Sequence, residues 1–127
     1  MTPSQIAVHS IYGETTLADS EWTQLTLTYD GQSVEEIPIP DGRFVISDAI
    51  FGRGFVYFAF EVNRGSGYTP IATFGFVLTS PIHSEVKRFK TGIVVNGGPG
   101  VTFRVRVKAV SAPPVSVNVT LRAYMAG

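Results

Sequence analysis

The chain contains no cysteine, so disulfide bridges and thiolate metal sites are excluded. Histidine is nearly absent as well. His9 and His83 are the two imidazoles, and neither sits in a metal-ligand spacing; a zinc site calls for about three or four protein ligands. No apolar run approaches the roughly 20 residues of a membrane helix. The N-terminal stretch MTPSQIAVHS has neither the basic nor the apolar region of a secretory signal, which implies synthesis in a cytoplasm and predicts no membrane association. Charge is also scarce: 16% of residues are charged, where about 25% is ordinary for a soluble domain. A surface this poor in charge implies that part of it is covered in an assembly.

Signatures of catalysis are missing too. There is no G-x-S-x-G elbow. The glycine-rich stretches Gly52-Arg53-Gly54 and Asn96-Gly97-Gly98-Pro99-Gly100 do not lead from a strand into a helix, as a phosphate loop must. Glu35 and Glu36 are adjacent and would point to opposite faces of a strand, so they cannot flank one glycosidic bond. Asn118-Val119-Thr120 matches a glycosylation triplet, but without a secretory signal it reads as coincidence. The reading is of a non-enzyme with no catalytic residues, no metal and no cofactor.

What is present is β-pattern. Residues 54–62, GFVYFAFEV, are apolar on both alternating faces: Phe55, Tyr57, Ala59 and Glu61 on one, Val56, Phe58, Phe60 and Val62 on the other. Such a strand is central, covered by a facing sheet on one side and by a loop or another subunit on the other. Residues 101–109 alternate cleanly, with Val101, Phe103, Val105, Val107 and Ala109 opposite Thr102, Arg104, Arg106 and Lys108. Residues 115–125 do the same, with Val115, Val117, Val119, Leu121, Ala123 and Met125 facing inward. From Trp22 to Tyr29 one further alternating strand is expected, with Leu25, Leu27 and Tyr29 toward the core. Asp30-Gly31 supplies a tight hairpin turn, and Pro38 and Pro40 put the return strand at an edge.

Additional strands are expected at Gln5–Tyr12, ended by Gly13, at Arg43–Ile50, at Pro70–Thr79 with a bulge or close approach at Gly75, and at Gly92–Val95. Residues Ser80–Lys90 read as a polar, basic loop. Ser111-Ala112-Pro113-Pro114 is either a wide hairpin or a crossover between sheets. With 127 residues, eight or nine strands and no helix, the chain predicts one all-β domain, an antiparallel two-sheet sandwich with jelly roll as the favoured topology and an immunoglobulin-like sandwich as the alternative. Residues 1–21 would be an N-terminal arm or edge strand, and 22–127 the sandwich.

Two sets of side chains are candidates for function. Residues 1–64 carry nine acids against three arginines, and residues 65–127 carry one acid against seven bases, although the net charge is zero. Such a split either mixes in space within one sandwich or sets an acidic surface of one subunit against a basic surface of the next. Arg104, Arg106 and Lys108 form a cationic stripe, with Arg122 as a possible neighbour. Three like charges on one strand face need an offset, from acids on an adjacent strand, an acidic protein partner or an anionic polymer. Zero net charge and the lack of interleaved aromatics disfavour nucleic acid. The second set is aromatic: Trp22, Tyr12, Tyr68 and Tyr124, with Trp22 and Tyr68 as the probes of glycan binding. They are either sugar platforms or interface aromatics.

The C-terminal pair VTFRVRVKAV/VSVNVTLRAYM, the polar N-terminal segment and the cysteine-free, neutral composition resemble the small jelly-roll structural proteins of tailed bacteriophages, capsid cement or decoration proteins above all. The resemblance covers the whole chain loosely and carries over no individual residue. It implies a structural virion protein on the outer capsid surface, a symmetric oligomer with a trimer favoured, and the major capsid protein as partner. A carbohydrate-binding sandwich, as in a phage receptor-binding head or a lectin, is the alternative.

Overall fold

The computed structural model describes residues 7–52, 54–78, 84–110 and 114–126. Eleven strands are found among them and no helix, so none is long and apolar enough to cross a membrane. They are β1 (Ala7–Leu17), β2 (Thr23–Gln24), β3 (Leu27–Tyr29), β4 (Gln32–Val34), β5 (Ile37–Pro38), β6 (Arg43–Gly52), β7 (Gly54–Asn63), β8 (Tyr68–Leu78), β9 (Ser84–Asn96), β10 (Thr102–Ala109) and β11 (Val115–Ala126). One sheet has the order β4-β3-β1-β11-β6-β9. The other has β2-β10-β7-β8, with β5 also paired to β10.

The pairings identify a jelly roll. β1 pairs with β11, β2 with β10, β6 with β9 and β7 with β8, all antiparallel. The chain is thus one long ribbon folded back on itself, and successive rungs of that ribbon fall in alternate sheets. Contacts of β11 with β6 and of β10 with β7 then close each sheet. The count exceeds the expected eight or nine because β3, β4 and β5 are short additions between the second and third main strands.

Alternation places the core where the pattern required. Val56, Phe58, Phe60 and Val62 of β7, Phe103, Val105 and Val107 of β10, and Val117, Val119 and Leu121 of β11 are all buried. Aromatic rings bridge the two sheets: Phe51 lies 4.7 Å from Phe58 and Phe44 lies 5.5 Å from Phe103, centroid to centroid. Burying each such ring is worth about 2–3 kcal/mol.

Several expectations are corrected. Gly13 does not end the first strand; β1 runs through it. A Cβ there would lie 2.9 Å from Leu27 Cδ2, so glycine is what lets β3 approach β1. Residues 7–17, expected in an arm or edge strand, pair throughout with β11 and at Tyr12 and Gly13 also with β3. The segment 22–29 is two strands rather than one, since β2 belongs to one sheet and β3 to the other. Leu25 and Leu27, both buried, anchor the chain where it changes sheets. The bulge in β8 falls at Ile71, between the pairs Phe60↔Ala72 and Glu61↔Pro70, whereas Gly75 sits in regular register opposite Tyr57.

Residues 84–90, read as loop, are the first half of β9. As an edge strand with charged side chains it shows little apolar pattern, and Gly92 at a φ of 77° marks its irregularity against β6. The Asp30-Gly31 turn is as expected, with both residues at positive φ and Tyr29 paired with Gln32. β10 and β11 lie in different sheets, so their connection is a crossover. Residues 1–6, Arg53, His83 and residues 111–113 lie outside the described residues.

Candidate functional site

Part of each candidate set meets on one surface: Arg104 and Arg106 with Tyr68 and Trp22. Period-two alternation turns Arg104, Arg106 and Lys108 of β10 to the outer face of the smaller sheet, and Tyr57, Ala59 and Glu61 of β7 turn to the same face beside them. Glu61 stands directly opposite Arg104 in the register and is 1% exposed. Its carboxylate accepts hydrogen bonds from Arg104 Nε and from Arg106 Nη2, each at 2.7 Å. One acid is therefore shared by two guanidiniums, one on each oxygen.

Aromatic rings flank this ion triad at both ends. The Arg104 guanidinium carbon lies 3.7 Å from the centre of the Tyr68 ring, and that of Arg106 lies 5.3 Å from the Trp22 ring, both within cation–π range. Arg104 Nη1 also donates to Gln24 Oε1 at 3.2 Å, and Gln24 Nε2 donates to the Glu35 carbonyl at 2.7 Å. The Tyr68 hydroxyl donates to the Glu36 carboxylate and lies 2.9 Å from Thr102 Oγ1. The short strands β2 and β5 and their flanks are thereby tied to the sheet by side chains as well as by backbone.

Electrostatics follow from this packing. Burial pushes the Glu61 carboxyl up, but the hydrogen bonds and charges of Arg106 and Arg104 outweigh it and hold the group below the usual glutamate range. Glu61 is thus a fixed anion near neutral pH, unsuited to acid or base catalysis. Tyr68 is pushed up, first by burial and then by its bond to Glu36.

The other candidates are placed elsewhere. Lys108 faces Tyr57 across the strand pair on the same outer face. Arg122 is on the opposite side of the sandwich, on the outer face of the larger sheet, with its Nε 3.4 Å from Asp48 Oδ1. Tyr12 and Tyr124 belong to that larger sheet too. No cluster of three metal-ligating side chains exists among the described residues.

The role of Glu61 was missed in the sequence. Its signal was a lone acid in an apolar run, facing away from the core, together with a cationic stripe that lacked an offset. The ion pairs Arg104–Glu61, Arg106–Glu61 and Arg122–Asp48 each join a base of the second half of the chain to an acid of the first. In these pairs the two charge-biased halves mix within one sandwich. The expected cover of β7 by a loop or another subunit is supplied at Glu61 by the chain's own arginines. No protein-family model and no curated protein matches the chain.

Proposed function

We propose that the chain is a structural virion protein, a capsid decoration subunit that stabilises an assembled shell by bridging capsid subunits on its outer surface. The observation that carries this reading is the unequal finish of the two sides of the jelly roll. One side ends in the short strands β4, β2 and β5, with β2 and the flank of β5 tied down by side-chain bonds. The other ends in β8 and β9, of 11 and 13 residues, which carry the exposed apolar side chains Ile71, Val86 and Val94. Long edge strands with exposed apolar residues are surfaces that other chains cover. Because such a subunit binds the assembled shell and not its dissociated parts, it stabilises the shell by mass action.

The carbohydrate-binding alternative through Trp22 and Tyr68 has less support, since a guanidinium already lies over each ring. The non-enzyme reading agrees with the use of Glu61, Arg104 and Arg106 in one another's neutralisation.

The test is to add purified protein to undecorated shells of tailed phage and follow co-sedimentation and heat resistance, with light scattering for the oligomer. Bound protein with a gain in heat resistance, lost in the variant I71K/V86K/V94K, is the expected result, with a trimer as the solution species. Absence of binding to any shell, or binding indifferent to that variant, overturns the reading.

A further inference from the structure

The outer face of the larger sheet holds an open polar depression of about 560 Å³, lined by Glu14, Thr15, Thr16, Ser116, Val117 and Asn118. Its size is within the roughly 300–1,000 Å³ of small-ligand sites. The register explains its chemistry. Tyr12 stands opposite Thr120, Glu14 opposite Asn118 and Thr16 opposite Ser116, so β1 and β11 set three polar pairs side by side on one face. Glycine makes room for one lining side chain: a Cβ at Gly52 would lie 2.3 Å from Asn118 Oδ1, so the amide lies over the β6 backbone where any other residue would displace it.

Tyr12 stands next to the depression on the same face of β1, joined to it through Glu14. Its hydroxyl donates to Glu14 Oε2 at 2.8 Å, which orients the ring, and the residue is 40% exposed. Unlike Trp22 and Tyr68, Tyr12 has no cation or ring stacked on it among the described residues. An accessible aromatic face beside an amide, a carboxylate and the hydroxyls of Thr16 and Ser116 suits a pyranose. The apolar C–H face of such a ring packs on the tyrosine, while its hydroxyls both donate to Glu14 and exchange paired bonds with Asn118, which offers one acceptor and two donors. The Glu14 carboxylate repels acidic sugars.

We propose that the β1–β11 face is a binding site for a neutral, hydroxyl-rich glycan, with Tyr12 as platform and Glu14 and Asn118 as the hydrogen-bonding groups. This goes beyond the shell-stabilising role and lies on a different surface from β8.

The experiment is titration of the full chain with neutral oligosaccharides of glucose, galactose, mannose and N-acetylglucosamine, read by amide chemical shifts. Saturable shifts confined to β1 and β11 are expected. Tyr12→Ala should weaken them by about tenfold, the cost of a lost aromatic contact, while Tyr12→Phe, which keeps the ring, stays within about threefold of the parent. Asn118→Ala should also weaken binding, with thermal unfolding confirming that each variant is folded. No saturable shift with any of these sugars at millimolar concentration overturns the proposal. So does binding that is unchanged by Tyr12→Ala and Asn118→Ala, or that is abolished by Trp22→Ala instead.

Discussion

Glu61 and Arg104 face each other across neighbouring strands with Oε1 and Nε 2.7 Å apart, and the same carboxylate holds Arg106 through its other oxygen. The acid is almost fully covered and the two bases are partly open. That asymmetry decides what substitution should do.

Glu61→Gln keeps the shape and removes the charge, leaving two guanidiniums side by side without their anion. A loss of about 2–3 kcal/mol is expected, somewhat under the cost of breaking a fully buried pair because both arginines reach solvent. Urea unfolding midpoints measure it. Replacing all three members by apolar residues, E61L/R104M/R106M, should restore stability to within about 1 kcal/mol of the parent, since no buried charge is then left unpaired. A triple variant as unstable as Glu61→Gln would show that the triad contributes more than mutual neutralisation.

Acid should act through the same group. Its folded pKa is below the unfolded value of about 4.5, so the unfolded chain binds the extra proton between the two and stability rises with pH across that window. The contribution is complete above about pH 5 and is lost as pH falls through the folded value. Thermal unfolding of the parent should therefore drop more steeply below about pH 4.5 than that of E61L/R104M/R106M. Parallel curves would remove Glu61 from the explanation.

Two glycines with close neighbours should differ in cost. At Gly13 an added methyl meets the end of the Leu27 side chain, which can turn aside, and Gly13→Ala is expected to cost about 1 kcal/mol. At Gly97 it would lie 2.3 Å from the Asp41 carbonyl oxygen, and backbone cannot turn aside. Gly97→Ala should cost about 3 kcal/mol, loosening the turn that joins β9 to β10. Equal midpoints for the two variants would contradict this.

Trp22 is the sole tryptophan and packs beside Arg106. Arg106→Ala should shift its emission to the red as water replaces the guanidinium, while Lys108→Ala, one alternation further along β10, should leave the spectrum unchanged. Stability should fall by about 1 kcal/mol more for Arg106 than for Lys108, reflecting the shared carboxylate and the ring contact.

The legible parts of the fold were those where one face is wet and the other dry. β10 and β11 could be read residue by residue because every second position is buried. The Asp30-Gly31 hairpin was legible because positive φ at two successive positions admits few residues. Only the end of β9, Gly92–Val95, was legible; its first half was not, since an edge strand has no need to alternate and its exposed side chains include Val86 as well as Arg88 and Lys90. Nor was the split of residues 22–29, because Leu25 and Leu27 face the same core from two sheets and so preserve one uninterrupted alternation. The candidate residues themselves were legible but not their company. Arg104, Arg106, Trp22 and Tyr68 stood as rival explanations, and only the pairing of β10 with β7 and β2, and of β7 with β8, makes them one cluster around Glu61.

The place of β11 has a consequence for how this molecule comes into being. It is the strand between β1 and β6, and its partners on one side are about a hundred residues earlier in the chain, as in Ile11↔Leu121. On the ribosome the larger sheet must wait as two separate pieces, β4-β3-β1 and β6-β9, until the keystone strand has emerged. Contacts so distant along the chain form slowly, and the waiting pieces offer open edges to other nascent chains. Yield of native protein should therefore depend less on the strength of the finished sandwich than on how quickly β11 finds its slot.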